Sequence, residues 1–116
     1  MAINSQSDRS RFEASAQALQ ADLDARSKRR LYAAGEGPVT VPEAYTLQRA
    51  LRQVRETRGE TVVGFKIGYT SPTVRRNSQH IMGLTESVHG YLWDSEAYAN
   101  AATVDHRRLG IEGELG

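Results

Sequence analysis

The apolar residues of this chain change period once, near Gly59, and that change restricts the fold more than any other feature. Before it, Phe12, Ala16, Leu19 and Leu23, then Ala44, Leu47, Leu51 and Val54, recur at the three- and four-residue spacing of amphipathic helices. After it, Thr61 to Ile67 alternates, with Val63, Phe65 and Ile67 on one side of a strand and Val62, Gly64 and Lys66 on the other. The order predicts an α/β arrangement in which two N-terminal amphipathic helices pack on the first strands of a mixed β-structure. The helical part spans residues 1–60 and the strands residues 61–116, within a single incomplete domain.

The boundaries carry their own chemistry. Ser10-Arg11-Phe12-Glu13 fits a capping box and predicts a first helix from about Ser10 to Tyr32, ended by Gly35-Glu36-Gly37-Pro38. Thr40-Val41-Pro42-Glu43 is a second capping box with proline in the first turn, and Arg58-Gly59 is the matching stop. Tyr45 and Gln48 lie beside that helix's apolar stripe, available to a ligand or to packing. Downstream, Thr70 or Ser71 is expected to cap a short helix through Arg76, with Pro72 in its first turn. Residues 78–87 read as loop, Val88–Trp93 as a strand with its exit at Asp94-Ser95, and the remainder up to Arg108 as loop with a strand near Ala102–Val104.

Fifteen basic against fourteen acidic residues leave a net charge of +1, which argues against a general nucleic-acid or membrane-surface binder. Arg26, Lys28, Arg29 and Arg30 read as a solvated helix end, favoured by the macrodipole. The absence of cysteine excludes disulfides and thiolate metal sites and suits a reducing compartment. The polar start MAINSQSDRS resembles no signal peptide, and no run approaches a membrane span, so a cytoplasmic location is expected. His80, His89 and His106 lack the spacing of a zinc site.

Two stretches can carry chemistry. Lys66 stands between Gly64 and Gly68, and glycines in a strand often mark close approach of a ligand or another backbone. Ile111-Glu112-Gly113-Glu114-Leu115, read as a strand, puts both glutamates on one face. Carboxylates roughly 7 Å apart repel by about 2 kcal/mol at an effective dielectric near 20, so a partly buried pair calls for a cation between them. With oxygen donors and no cysteine, a cation such as Mg²⁺ or Mn²⁺ is the economical candidate, and a half-exposed strand with solvated glutamates is the alternative.

Val63-Gly64-Phe65-Lys66-Ile67-Gly68-Tyr69-Thr70-Ser71, then His89-Gly90-Tyr91-Leu92, then Ile111-Glu112-Gly113-Glu114-Leu115 occur in the order of three family motifs. Together they resemble the 2-keto-4-pentenoate hydratase and 4-oxalocrotonate decarboxylase branch of the fumarylacetoacetate hydrolase superfamily. The resemblance implies that Glu112 and Glu114 ligate Mg²⁺ or Mn²⁺, that Lys66 lines the pocket of a small 2-oxo acid, and that His89 is a candidate acid or base. It implies a lyase of aromatic meta-cleavage catabolism, adding water to 2-hydroxypenta-2,4-dienoate, and a homo-oligomer in full-length form. Some relatives carry an acidic residue where this chain has Val88, which leaves one acid/base role unfilled. Family members continue into a longer β-structure with a third carboxylate ligand, whereas this sequence stops at Gly116. The expectation is therefore a truncated fumarylacetoacetate-hydrolase-like fold without useful activity alone. A decarboxylase of the same family and a non-catalytic interaction module are the alternatives.

Overall fold

The computed structural model describes residues 5–82, 86–100 and 103. Helix α1 (Ser5–Asp24) is followed by a single turn, α2 (Arg30–Ala33), and by α3 (Val41–Thr57). Strand β1 (Val62–Gly68), helix α4 (Pro72–Met82), strand β2 (Val88–Trp93) and a 3₁₀ turn at Asp94–Glu96 complete the described elements. Helix and sheet are thus both present as expected, and the described sheet has two antiparallel strands.

The core lies where α1 crosses α3. Phe12, Ala16 and Leu19 of α1 meet Leu47 and Ala50 of α3, with Leu31 beneath and Leu23, Leu51 and Val54 packed at the margin. Phe12 has no exposed surface, and the guanidinium of Arg11 lies 4.6 Å from its ring centroid. The stripe expected on α3 needs one correction: Ala44 is exposed, and Ala50 is buried in its place.

The long first helix expected from Ser10 to Tyr32 is instead two helices, and Ser10 lies within α1 rather than at its cap. The chain leaves α1 through Arg26, whose φ of 53° puts it in the left-handed region. Ser27 N–H donates to the Asp22 carbonyl and Arg26 N–H to the Leu23 carbonyl, the paired bonds of a Schellman motif. The Asp22 carboxylate then accepts from the backbone N–H of Arg30 and from its guanidinium, fastening the start of α2. These bonds hold the buried Asp22 carboxyl below its ordinary pKa, the Arg30 side chain contributing most. Arg30 is therefore engaged, although its own side chain remains exposed.

Helix α3 begins and ends as its sequence demands. Thr40 Oγ1 accepts from Glu43 N–H, while the Glu43 carboxylate accepts from Val39 N–H, one residue earlier than a standard capping box. Gly59, at φ 94°, closes the helix in a second Schellman turn, with Gly59 N–H on the Glu56 carbonyl and Glu60 N–H on that of Arg55. Ser71 caps α4, its Oγ accepting from Val74 N–H. That helix reaches Met82, so the loop expected over 78–87 begins later.

An ionic cluster joins the helices to the sheet. Arg55 pairs with Glu60 and with Glu96, and its guanidinium stacks 4.5 Å from the centroid of the buried Trp93 ring. Arg58 pairs with Glu60 and, on α1, with Asp24. Hydrogen bonds from Arg55, then Arg58 and Ser95, hold the Glu60 carboxyl down at about 2, from 4.5. A depressed carboxylate contributes stability above its unfolded pKa and loses that contribution as pH falls through the folded value. Urea unfolding should therefore show stability declining from about pH 4.5 towards pH 2. Glu60→Gln should flatten this limb, removing about 3 kcal/mol of pH-dependent stability at most. An acid limb unchanged in the variant would contradict this role.

Candidate active site

Lys66 lies near the middle of β1, and the strand pairing defines its surroundings. Gly64 pairs with Leu92, Phe65 with Tyr91, Lys66 with Gly90, Ile67 with His89 and Gly68 with Val88. Directly opposed residues share a sheet face, so Lys66 shares its face with Gly64 and Gly68 along its own strand and has Gly90 across from it. Three glycines thus surround one exposed lysine. A Cβ built at Gly64 or Gly68 would make only ordinary contacts, 3.5 Å to Leu92 Cδ1 and 3.7 Å to Val88 Cγ2. Packing among the described residues therefore does not demand these glycines, and their effect is to leave the floor beside the ammonium low.

His89 belongs to the other face. Its ring stacks on Tyr45 at 4.8 Å and meets the edges of Phe65 at 6.5 Å and Tyr91 at 6.3 Å, between centroids. Lys66, expected to line the pocket, and His89, the candidate acid or base, are presented on opposite faces of the described sheet. Adjacent register positions point through opposite sides of the sheet, and these two residues fall on adjacent positions.

The backbone of His89 is held as firmly as its ring. Its N–H donates to the Tyr45 hydroxyl at 3.3 Å, and its carbonyl accepts from Gln48 Nε2 at 2.9 Å. Helix α3 therefore covers the outer edge of β2 at His89, with side chains that take up both main-chain groups of that residue. Tyr45 and Gln48 were visible in the sequence as polar neighbours of the stripe, but their target lies more than forty residues away and has no periodic signature. Gly90 was likewise recognisable only as part of a motif, because its place opposite Lys66 depends on register.

Val63, Phe65 and Ile67, the apolar side of β1, are between 59% and 63% exposed. A β-bulge interrupts the pairing between Val62 and Gly64. Glu112, Glu114 and the strand proposed to carry them lie outside the described residues, as does His106. Among the described residues no group of three or more His, Asp or Glu side chains is placed to hold a metal ion. No helix among them is long and apolar enough to cross a membrane.

Sequence comparison relates the chain to three curated enzymes. It is 34% identical over 82 residues to 2-hydroxyhexa-2,4-dienoate hydratase of Comamonas testosteroni, covering 66% of this chain and 30% of that protein. It is 40% identical over 57 residues to 2-keto-4-pentenoate hydratase of Burkholderia vietnamiensis strain G4, covering 49% of this chain and 20% of the relative. It is 32% identical over 80 residues to 4-oxalocrotonate decarboxylase of Pseudomonas putida, covering 66% and 29%. The matched stretches span less than a third of each relative. No family model matches the chain, and no solved structure matches it.

Proposed function

We propose that this chain, whose resemblance to the hydratase and decarboxylase branch is shown by these three relatives, forms the N-terminal portion of a metal-dependent 2-keto-4-pentenoate hydratase-like lyase. The observation that carries the reading is Lys66 on its glycine-lined face, inside the first of three motifs that resemble the branch in order. A lysine so placed offers a compact positive charge to a planar 2-oxo acid, and Gly64, Gly68 and Gly90 keep the strand beside it low enough for a substrate to approach. In this reading Lys66 stabilises the negative charge that develops on the substrate's enolate oxygen. Glu112 and Glu114 hold Mg²⁺ or Mn²⁺, whose chemistry when bound is Lewis-acid stabilisation of that same charge. Their oxygen donors suit a hard cation, and two carboxylates alone hold Mg²⁺ weakly, so further ligands belong to the complete site.

His89 has a different part in this proposal. Through its stacked ring and its bonded backbone it fixes β2 against α3, and so fixes Gly90 opposite Lys66. The exposed apolar side of β1 supports the view that this is an incomplete domain, since patches of this kind mark surfaces meant for cover. The 116-residue chain alone should accordingly lack useful hydratase activity. The similarity to a decarboxylase keeps decarboxylation of a 2-oxo acid as the second reading.

The test is a chimera in which this chain replaces the corresponding segment of an intact hydratase, assayed with 2-hydroxypenta-2,4-dienoate and with 4-oxalocrotonate. Turnover of the first substrate supports the hydratase reading, turnover of the second supports the decarboxylase, and a folded chimera that turns over neither overturns both. In an active chimera, Glu112→Gln or Glu114→Gln should lower the apparent metal affinity by about 10-fold or more, with partial rescue by excess metal. An unchanged metal titration for both variants would remove these residues from the metal site.

A further inference from the structure

The register that sets Gly90 across from Lys66 also sets two apolar side chains on the same face, diagonally on either side of the lysine. Leu92 pairs with Gly64, and Val88 pairs with Gly68. Diagonal neighbours in an antiparallel pair lie about 7–8 Å apart, within reach of long side chains. Leu92 leans over β1, because its Cδ1 is 3.5 Å from where a Cβ on Gly64 would stand. Val88 Cγ2 leans over Gly68 in the same way, at 3.7 Å. The two differ in what they leave open. Leu92 is 46% exposed, a large apolar side chain with much of its surface uncovered, whereas Val88 is half-buried. The floor differs as well: β1 ends at Gly68, but it runs on past Gly64 to Val62. A scattered exposed leucine needs no explanation; this one shares a face with the lysine and has only a glycine between itself and the strand beneath.

We infer that Leu92 is a specificity-determining residue, which receives the hydrocarbon end of a 2-oxo acid over Gly64 and selects a short uncharged tail over one that ends in a second carboxylate. This rests on the proposed function, in which Lys66 meets the oxo-acid end of the substrate. Positions 64 and 66 of a strand are separated by roughly 7 Å, a span suited to an extended five-carbon chain. With its head at Lys66, such a chain runs over Gly64 and lays its last carbons against Leu92. A methyl or vinyl end gains by covering apolar surface there. A carboxylate in the same place gives up hydration against methyl groups, which return no hydrogen bond. The glycine matters to this contact, since a side chain at position 64 would itself occupy the surface of Leu92 that the tail uses.

The experiment compares the chimera described above with its Leu92→Ala, Leu92→Arg and Val88→Ala variants. Two pairs of ligands read the tail. As substrates, 2-hydroxypenta-2,4-dienoate and 2-hydroxyhexa-2,4-dienoate differ by one carbon; as competitive inhibitors, 2-oxopentanoate and 2-oxoglutarate share a carbon count and differ in terminal charge. The parent should bind 2-oxopentanoate about tenfold more tightly than 2-oxoglutarate. Leu92→Ala should shift the ratio of kcat/KM values towards the six-carbon substrate by about tenfold, through KM rather than kcat. Leu92→Arg should bring the two inhibitors to within about threefold of each other, and Val88→Ala should leave both ratios within about twofold of the parent. Ratios of this kind do not depend on the fraction of each variant that folds. A folded parent that turns over no substrate overturns the proposed function and this inference with it. An active parent whose ratios neither Leu92 variant changes, a larger effect from Val88→Ala, or turnover of 4-oxalocrotonate alone overturns the inference by itself.

Discussion

Lys66→Met, introduced into an active chimera carrying this chain, is expected to lower kcat by about 10²- to 10³-fold while metal affinity stays close to that of the parent. The size follows from losing one positioned charge from a site where negative charge develops. Methionine keeps much of the length of the lysine stem and removes its charge, so the comparison isolates the ammonium. Unfolding measurements separate any change in stability from the kinetic effect. The check is a steady-state assay at several metal concentrations, with denaturant unfolding run on the same protein. If kcat falls less than threefold, Lys66 is a surface strand residue and the catalytic reading of this face is wrong.

Phe12→Ala should have the largest effect on stability. Among the described residues Phe12 is the one large side chain with no exposed surface, and it sits where α1 meets α3. Truncation of a buried phenylalanine costs about 3–5 kcal/mol through lost burial and the cavity left behind. Domains of this size hold about 5–15 kcal/mol in all, so the variant should be close to unfolding at 25 °C. Far-UV circular dichroism under urea measures the loss. Trp93, the single tryptophan, reports separately on the ionic cluster at the sheet. A midpoint change worth less than 1 kcal/mol would mean that the crossing of α1 and α3 does not hold the helical part together.

The parts of the fold that were legible in the sequence are those fixed by neighbours close along the chain. The stripe Phe12, Ala16, Leu19 needs only helical spacing, Thr40 needs Glu43 three residues on, and Gly59 supplies its own left-handed turn. The break after Asp24 was not legible, because the left-handed residue there is arginine rather than glycine and the bond that starts α2 comes from Asp22, eight residues back. Ala50 was passed over because the sequence offers Leu47 and Leu51 one turn apart, whereas the buried line passes through Leu47 and Ala50. At the site, Gly64 and Gly68 announced themselves, but Gly90 and the separation of His89 from Lys66 appear only when the two strands are set in register. The carboxylates of Glu112 and Glu114 fall outside the described residues, so the alternation that groups them stands on the sequence alone.

The two margins of the sheet are unequal. Along β2, Tyr45 and Gln48 take up both main-chain groups of His89, while β1 has no strand on its far side among the described residues. A ribbon blocked on one margin can add strands in one direction only. The tyrosine and glutamine on α3 therefore do more than position a histidine: they occupy the margin of β2 at His89, so that among the described residues β1 holds the open margin on which a further strand can be laid.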